Sequence, residues 1–175
     1  MLNAATADNA FVVDGGTVTN TATLNFATTA TPAVGLELAF AGANPRWCNA
    51  GESQLGSDDR LETSGRLRFR LSETAWTSAP LRMCPYTDFG GKKKKFIRKY
   101  IPITVERGAA PVGKGRNIPL IEWDDAPNNQ ITVTDETLNE VADLSTLPKG
   151  AKLFVRGNVI YVRMPGELGL SVIVR

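Results

Sequence analysis

Histidine is absent from the 175 residues, and cysteine occurs only twice. Without an imidazole there is no histidine general base, no Ser-His or Cys-His nucleophile pair and no His-ligated metal, the commonest routes by which a small domain acquires catalysis. No serine sits in a GxSxG setting, so a nucleophile elbow is missing as well. Apolar runs such as Leu168–Val174 fall far short of the roughly 20 residues that a membrane-spanning helix needs. Met1–Thr6 has neither a basic start nor an apolar stretch and does not read as a secretory signal, so the expectation is either a protein used where it is made or one whose signal has been removed. The two cysteines, Cys48 and Cys84, lack CxxC spacing; they are either one disulfide or two buried thiols.

Basic residues are missing from whole stretches of the chain. Residues 1–45 hold Asp8, Asp14 and Glu37 and no lysine or arginine, whereas residues 46–116 hold 15 bases against 7 acids. Residues 117–148 then carry seven acids and no base, and residues 149–175 five bases and Glu167, so the net charge of +2 conceals alternating blocks. Blocks of opposite sign suit neutralisation within one chain or head-to-tail docking between copies.

What is present is strand-like. Hydrophobic residues make up 42% of the chain and charged residues 22%, an ordinary globular balance with enough length for one core. Ala10-Phe11-Val12-Val13 meets Asp14-Gly15-Gly16 and leaves through Thr17-Val18-Thr19, a pattern that predicts a tight hairpin because the glycines supply positive φ. Val34–Phe40 alternates, residues 41–59 read as a loop broken by Gly42, Asn44, Pro45, Gly51 and Gly56, and Arg66-Leu67-Arg68-Phe69-Arg70-Leu71 alternates strictly. One face of that last run must be core and the other wet or facing an acidic partner. Phe96–Glu106, Asn117–Trp123, Gln130–Thr134, Lys152–Arg156, Val159–Arg163 and Leu168–Val174 are further strand candidates, with a turn at Arg156-Gly157-Asn158. Asp135 is placed as the N-cap of one helix carrying Leu138, Val141 and Ala142. No segment repeats at a fixed period. Together these elements predict an all-β fold, a β-sandwich or jelly-roll-like barrel of about nine to ten short strands with one short helix, with residues 1–30 as an N-terminal hairpin or arm and 31–175 as the sandwich.

Chemistry-bearing motifs are few. Lys92, Lys93, Lys94, Lys95, Arg98 and Lys99 put six positive charges in eight residues beside Phe96 and Tyr100. Such a run can neutralise phosphates and stack on bases, or meet the acidic 117–148 block of its own or a neighbouring chain. Gly108 to Arg116 is glycine-rich, but Gly115 stands where a phosphate loop requires Ser or Thr, so an inter-strand loop is the better reading. Asp124 and Asp125 are adjacent and would point to opposite faces of a strand; Asp58 and Asp59 belong to a loop. Trp47, Trp76 and Trp123 read as core or interface anchors in preference to sugar-stacking platforms.

The stretch from Cys48 to Cys84, with Leu55-Gly56 and the alternating Leu67–Leu71, resembles the first half of chaperone-usher pilins. That resemblance implies a secreted, adhesin-like β-module with a Cys48–Cys84 disulfide, binding a glycan or a protein from the cell surface. The overall profile is also similar to small β-sandwich virion proteins of phages. The leading expectation is a non-enzymatic structural subunit of a large assembly, a capsid, decoration or tail-associated virion protein assembled in the host cytoplasm. It needs no cofactor, its partners are copies of itself and other assembly proteins, with packaged nucleic acid at the basic segment, and no membrane is involved.

Overall fold

A strand is useful to a fold only where its backbone groups find partners, and here those partners lie one circuit of the chain away. The computed structural model describes residues 10–20, 24–25, 37–49, 53–54, 65–71, 76–83, 102–108, 116–123 and 134–165. The first circuit holds β1 (Ala10–Asp14), β2 (Thr17–Asn20) and β3 (Leu24–Asn25), and the second β4 (Glu37–Ala41), β5 (Arg46–Asn49) and β6 (Ser53–Gln54). The third supplies β7 (Arg66–Leu71) and β8 (Leu81–Met83), and the fourth β9 (Ile103–Arg107) and β10 (Asn117–Trp123). Helix α1 (Asp135–Glu140), β11 (Ala142–Asp143), β12 (Lys152–Arg156) and β13 (Val159–Arg163) close the described chain.

Each circuit lays its strands on the equivalent strands of the one before. The first sheet runs β1-β4-β7-β9-β11 with every pairing parallel. The second runs β12-β13-β10-β8-β5-β2, parallel from β2 to β10 and antiparallel through β13 to β12; β3 and β6 make a third, parallel pair. Parallel neighbours need a long crossover, and here the crossover is the rest of the circuit passing through the other sheets, the winding of a β-solenoid. The expected β-sandwich or jelly-roll-like barrel is therefore overturned: the chain builds mixed and parallel sheets with a single six-residue helix among the described residues.

The N-terminal hairpin fails for a specific reason. Gly15 and Gly16 do take positive φ, 73° and 70°, as a tight turn demands. Yet β1 leaves that turn into the first sheet and β2 into the second, so the turn is a coil corner. The corners stack as the strands do, since Gly15 N–H donates to Ala41 O at 3.2 Å and Arg46 N–H to Gly16 O at 2.9 Å. The corner after β4 repeats the same backbone device, with Gly42 at φ 72° and Asn44 at 48°. Nor is the first segment an arm over residues 10–20, because Val13 is buried in the shared core and Val18 packs against it.

Stacking in register turns each inward position into a column. Leu38, Leu67 and Ile103 form one, and Val13, Phe40, Phe69 and Val105 another. Phe40 and Phe69 lie ring on ring, 5.2 Å between centroids and 11° from parallel, and Trp76 meets Phe69 edge-on at 6.4 Å. Such aromatic contacts add about 0.5–1.5 kcal/mol beyond the apolar area they bury. In the second sheet Trp47, Leu81, Ile121 and Ile160 continue the core. Leu120 and Ile121 are both fully buried although adjacent, which a regular strand forbids. A register shift between Pro119 and Ile121 resolves this, and the same irregularity tolerates a proline that has no N–H to give.

The alternating run Arg66–Leu71 forms β7 as expected, and Lys152–Arg156 and Val159–Arg163 form β12 and β13 around Gly157 at φ 61°. Strands β5 and β6 fall inside the stretch read as a loop, being too short and polar to show a period of two. The helix spans Asp135–Glu140 with Leu138 buried, while Ala142 belongs to β11. The candidate strand Gln130–Thr134, but for Thr134, and the candidate Leu168–Val174 lie outside the described residues.

Phe69→Ala should remove one member of a three-ring cluster at the centre of the stack and lower unfolding free energy by about 3–5 kcal/mol. Urea unfolding followed by circular dichroism measures it; a loss below about 1 kcal/mol would contradict the stacked core.

Candidate assembly interface

The outward positions stack as well, and on the first sheet they carry charge of alternating sign. Glu37 belongs to the second circuit, Arg68 and Arg70 to the third and Glu106 to the fourth. Arg68 Nε donates to Glu37 Oε1 at 2.9 Å and its Nη1 donates to Glu106 Oε1, while Arg70 Nε lies 3.5 Å from Glu106 Oε2. The Glu37 hydrogen bond, aided by the charges of Glu37 and Glu106, raises the Arg68 guanidinium above its ordinary value despite partial desolvation. On the second sheet Arg46 Nη2 and Arg82 Nε lie 2.8 Å and 3.5 Å from Glu122 Oε1. The arginine face of β7 thus meets an acidic partner within its own chain, and the basic 46–116 block is met by acids from the blocks on either side.

The two ends of the stack differ. At the far end the edge of β12 is covered by α1 through side chains that imitate a neighbouring strand. Leu153 N–H donates to Asn139 Oδ1 at 2.9 Å, and Asn139 Nδ2 donates back to Leu153 O at 2.8 Å. Two residues on, Val155 N–H donates to Asp135 Oδ1 at 2.7 Å. Asp135 is therefore the first residue of the helix, and its carboxylate serves a strand edge instead of capping its own helix. Sequence reasoning missed this pair of edge covers; the only signal was an Asp and an Asn four residues apart on a short helix.

The beginning of the stack has no such cover among the described residues. Strands β1 and β2 end their sheets, and β3 has one partner. None of the three contains the Lys, Arg or Pro that commonly blunts an edge. Val12, on the outer face beside Ala39, is 57% exposed, the one large apolar side chain so exposed among the described residues.

Several sequence candidates find no place in this picture. Lys92, Lys93, Lys94, Lys95, Arg98 and Lys99 lie outside the described residues, as do Cys84, Asp58, Asp59, Asp124 and Asp125. Cys48 is a half-buried free thiol in β5, opposite Arg82. Trp47 and Trp76 are buried core residues, with Trp76 Nε1 donating to Gly42 O at 3.2 Å. Among the described residues no three His, Cys, Asp or Glu side chains gather to hold a metal, and no helix is long and apolar enough to cross a membrane. No protein-family model, curated protein or solved structure matches the chain.

Arg68→Gln should leave Glu37 and Glu106 without their shared cation. Because these groups are partly exposed, the expected loss is about 1 kcal/mol at low ionic strength, shrinking in molar salt. Denaturant melts at two salt concentrations check both the size and the screening. A second expectation concerns Asp143, whose carboxylate accepts the Ser145 N–H at 3.0 Å and is thereby held below the usual aspartate value. Its depressed value makes its contribution to stability present above the unfolded value near 3.9 and lost as pH falls through the lower folded value. Carboxyl-carbon NMR titration should find Asp143 below the usual aspartate value, and an unshifted Asp143 would contradict the turn.

Proposed function

We propose that this chain is a non-enzymatic structural subunit of a large assembly, a virion component, that joins a neighbouring subunit by β-pairing at the open end of its coil stack. The observation that carries this reading is the polarity of the stack. One terminal edge is shielded by Asn139 and Asp135, and the other, among the described residues, presents β1 and β2 with an exposed valine and no lysine, arginine or proline. An uncovered strand edge is a template for another strand, in which main-chain hydrogen bonds supply affinity and alternate side chains set register. A coil stack needs its terminal coils covered, and a neighbouring subunit supplies that cover.

The contacts between the described strands support the scaffold reading. Arg46, Arg68 and Arg82 make ion pairs between circuits, and Asn139 and Asp135 of α1 cover a strand edge; both devices hold shape. Lys92–Lys95, Arg98 and Lys99 are proposed as a contact for an acidic neighbour or for packaged nucleic acid. The secreted, disulfide-bonded alternative turns on Cys84, which lies outside the described residues.

Removing residues 1–16 would test the interface poorly, because it also removes the buried Val13. Val12→Lys is cleaner: an exposed position should change monomer stability by no more than about 0.5 kcal/mol. Light scattering should show the wild-type oligomer reduced to monomer by this substitution, with an unchanged melting curve. Oligomers that survive Val12→Lys would remove the open end from the interface.

A further inference from the structure

The outer face of the second sheet, at the hairpin β12–β13 and the adjoining β10, combines aromatic rings and cations in rows. The register places Phe154 opposite Tyr161 and Tyr161 opposite Pro119. The two rings are partly exposed and stacked, 5.4 Å between centroids and 17° from parallel. Two residues along the strands in one direction, Lys152 lies opposite Arg163; in the other, Arg156 lies opposite Val159. Strand geometry puts these rows about 7 Å from the aromatic row.

Lys152, Arg156 and Arg163 are all exposed, and none has a carboxylate within ion-pair distance among the described residues. The acid on this face, Glu122, is already met by Arg46 and Arg82. Helix α1, with Asp135, Glu136 and Glu140, borders the patch beyond β12 and limits it on that side.

Burial does not account for this composition. Inward positions of the same strands, Leu153, Ile160 and Val162, are aliphatic and fully buried, while two aromatic residues are spent on the wet face. An outward aromatic row flanked by cations on both sides is complementary to a chain that alternates flat rings with negative charge. We infer that this face binds single-stranded nucleic acid, with bases laid on Phe154 and Tyr161 and phosphates met by Lys152, Arg163 and Arg156. Stacking on an aromatic platform tolerates any base, because every base has a π-face. An acidic peptide would use the cations and leave the rings without a role. The site is distinct from the open coil end, is built without the Lys92–Lys95 run, and stands or falls independently of the assembly role.

The experiment is fluorescence anisotropy of a labelled oligothymidylate with the full-length protein and two variants, across a salt series. Phe154→Leu with Tyr161→Leu preserves bulk on the sheet and should weaken binding about tenfold or more with the salt slope unchanged. Lys152→Gln with Arg163→Gln alters only exposed side chains, and should reduce the logarithmic salt slope by about one to two units. Thermal melts of both variants, matching wild type, exclude unfolding as the cause. Wild-type affinity in the leucine variant would overturn the inference. So would heparin or polyglutamate displacing the oligonucleotide as well as an unlabelled oligothymidylate does, which would assign the face to a generic or an acidic protein partner. Absence of oligonucleotide binding by the wild-type protein at low salt would refute it outright.

Discussion

The coil stack from β1 to β10 depends on parallel, in-register backbone pairing between successive circuits of the chain. Once Leu38 lies opposite Leu67 and Leu67 opposite Ile103, the pleat decides which side chains point inward on every strand of the sheet. A slip of one residue would exchange the buried Phe69 for the charged Arg68 or Arg70 and empty the core into water. Register is held from both sides: by the aromatic column of Phe40 and Phe69 within, and by Glu37, Arg68 and Glu106 without. Exposed ion pairs contribute little to stability, but pairs of alternating sign penalise a misaligned stack in which arginine would face arginine.

The same constraint gives the molecule its polarity. Coil stacking leaves a strand edge at each end, and the two ends are treated differently. At the far end the chain reverses into an antiparallel hairpin and lays α1 along it, so that Asn139 both donates to and accepts from Leu153 as a neighbouring strand would. Side-chain imitation of a strand satisfies the edge without extending the sheet. Val12 and the uncharged β2 at the other end carry no comparable device among the described residues, and this contrast supports an assembly role more than any single residue does.

Legibility in the sequence was uneven in ways that physics accounts for. Arg66–Leu71 announced itself because its inward and outward faces differ as much as residue types allow, and β12 and β13 did so through a glycine turn between alternating runs. Strands β5, β6 and β8 did not, since two to four residues cannot display a period of two, and a buried parallel strand owes its partners to other circuits. The recurrence was hidden as well. The step from Ala10 to Glu37 lengthens to that from Leu67 to Ile103 because inter-strand segments grow, and stacking requires equivalence of strands alone. Gly15-Gly16 misled because a hairpin turn and a coil corner require the same positive φ.

By itself, then, the chain determined its local conformations: extended segments, reversals at glycine, a short acidic helix, alternating charge blocks, and the exclusion of histidine chemistry. These follow from side-chain size, backbone freedom and charge, which act over a few residues. Tertiary structure alone decided that β1 and β2 part into different sheets, that the arginines of β7 meet glutamates from other circuits, and that Asp135 serves Val155 instead of its own helix. It likewise decided that Phe154, Tyr161 and three cations share one face. The physical reason is that a backbone donor or acceptor is indifferent to sequence distance: the partner it finds is set by which circuit packs beside it, and no local pattern records that choice.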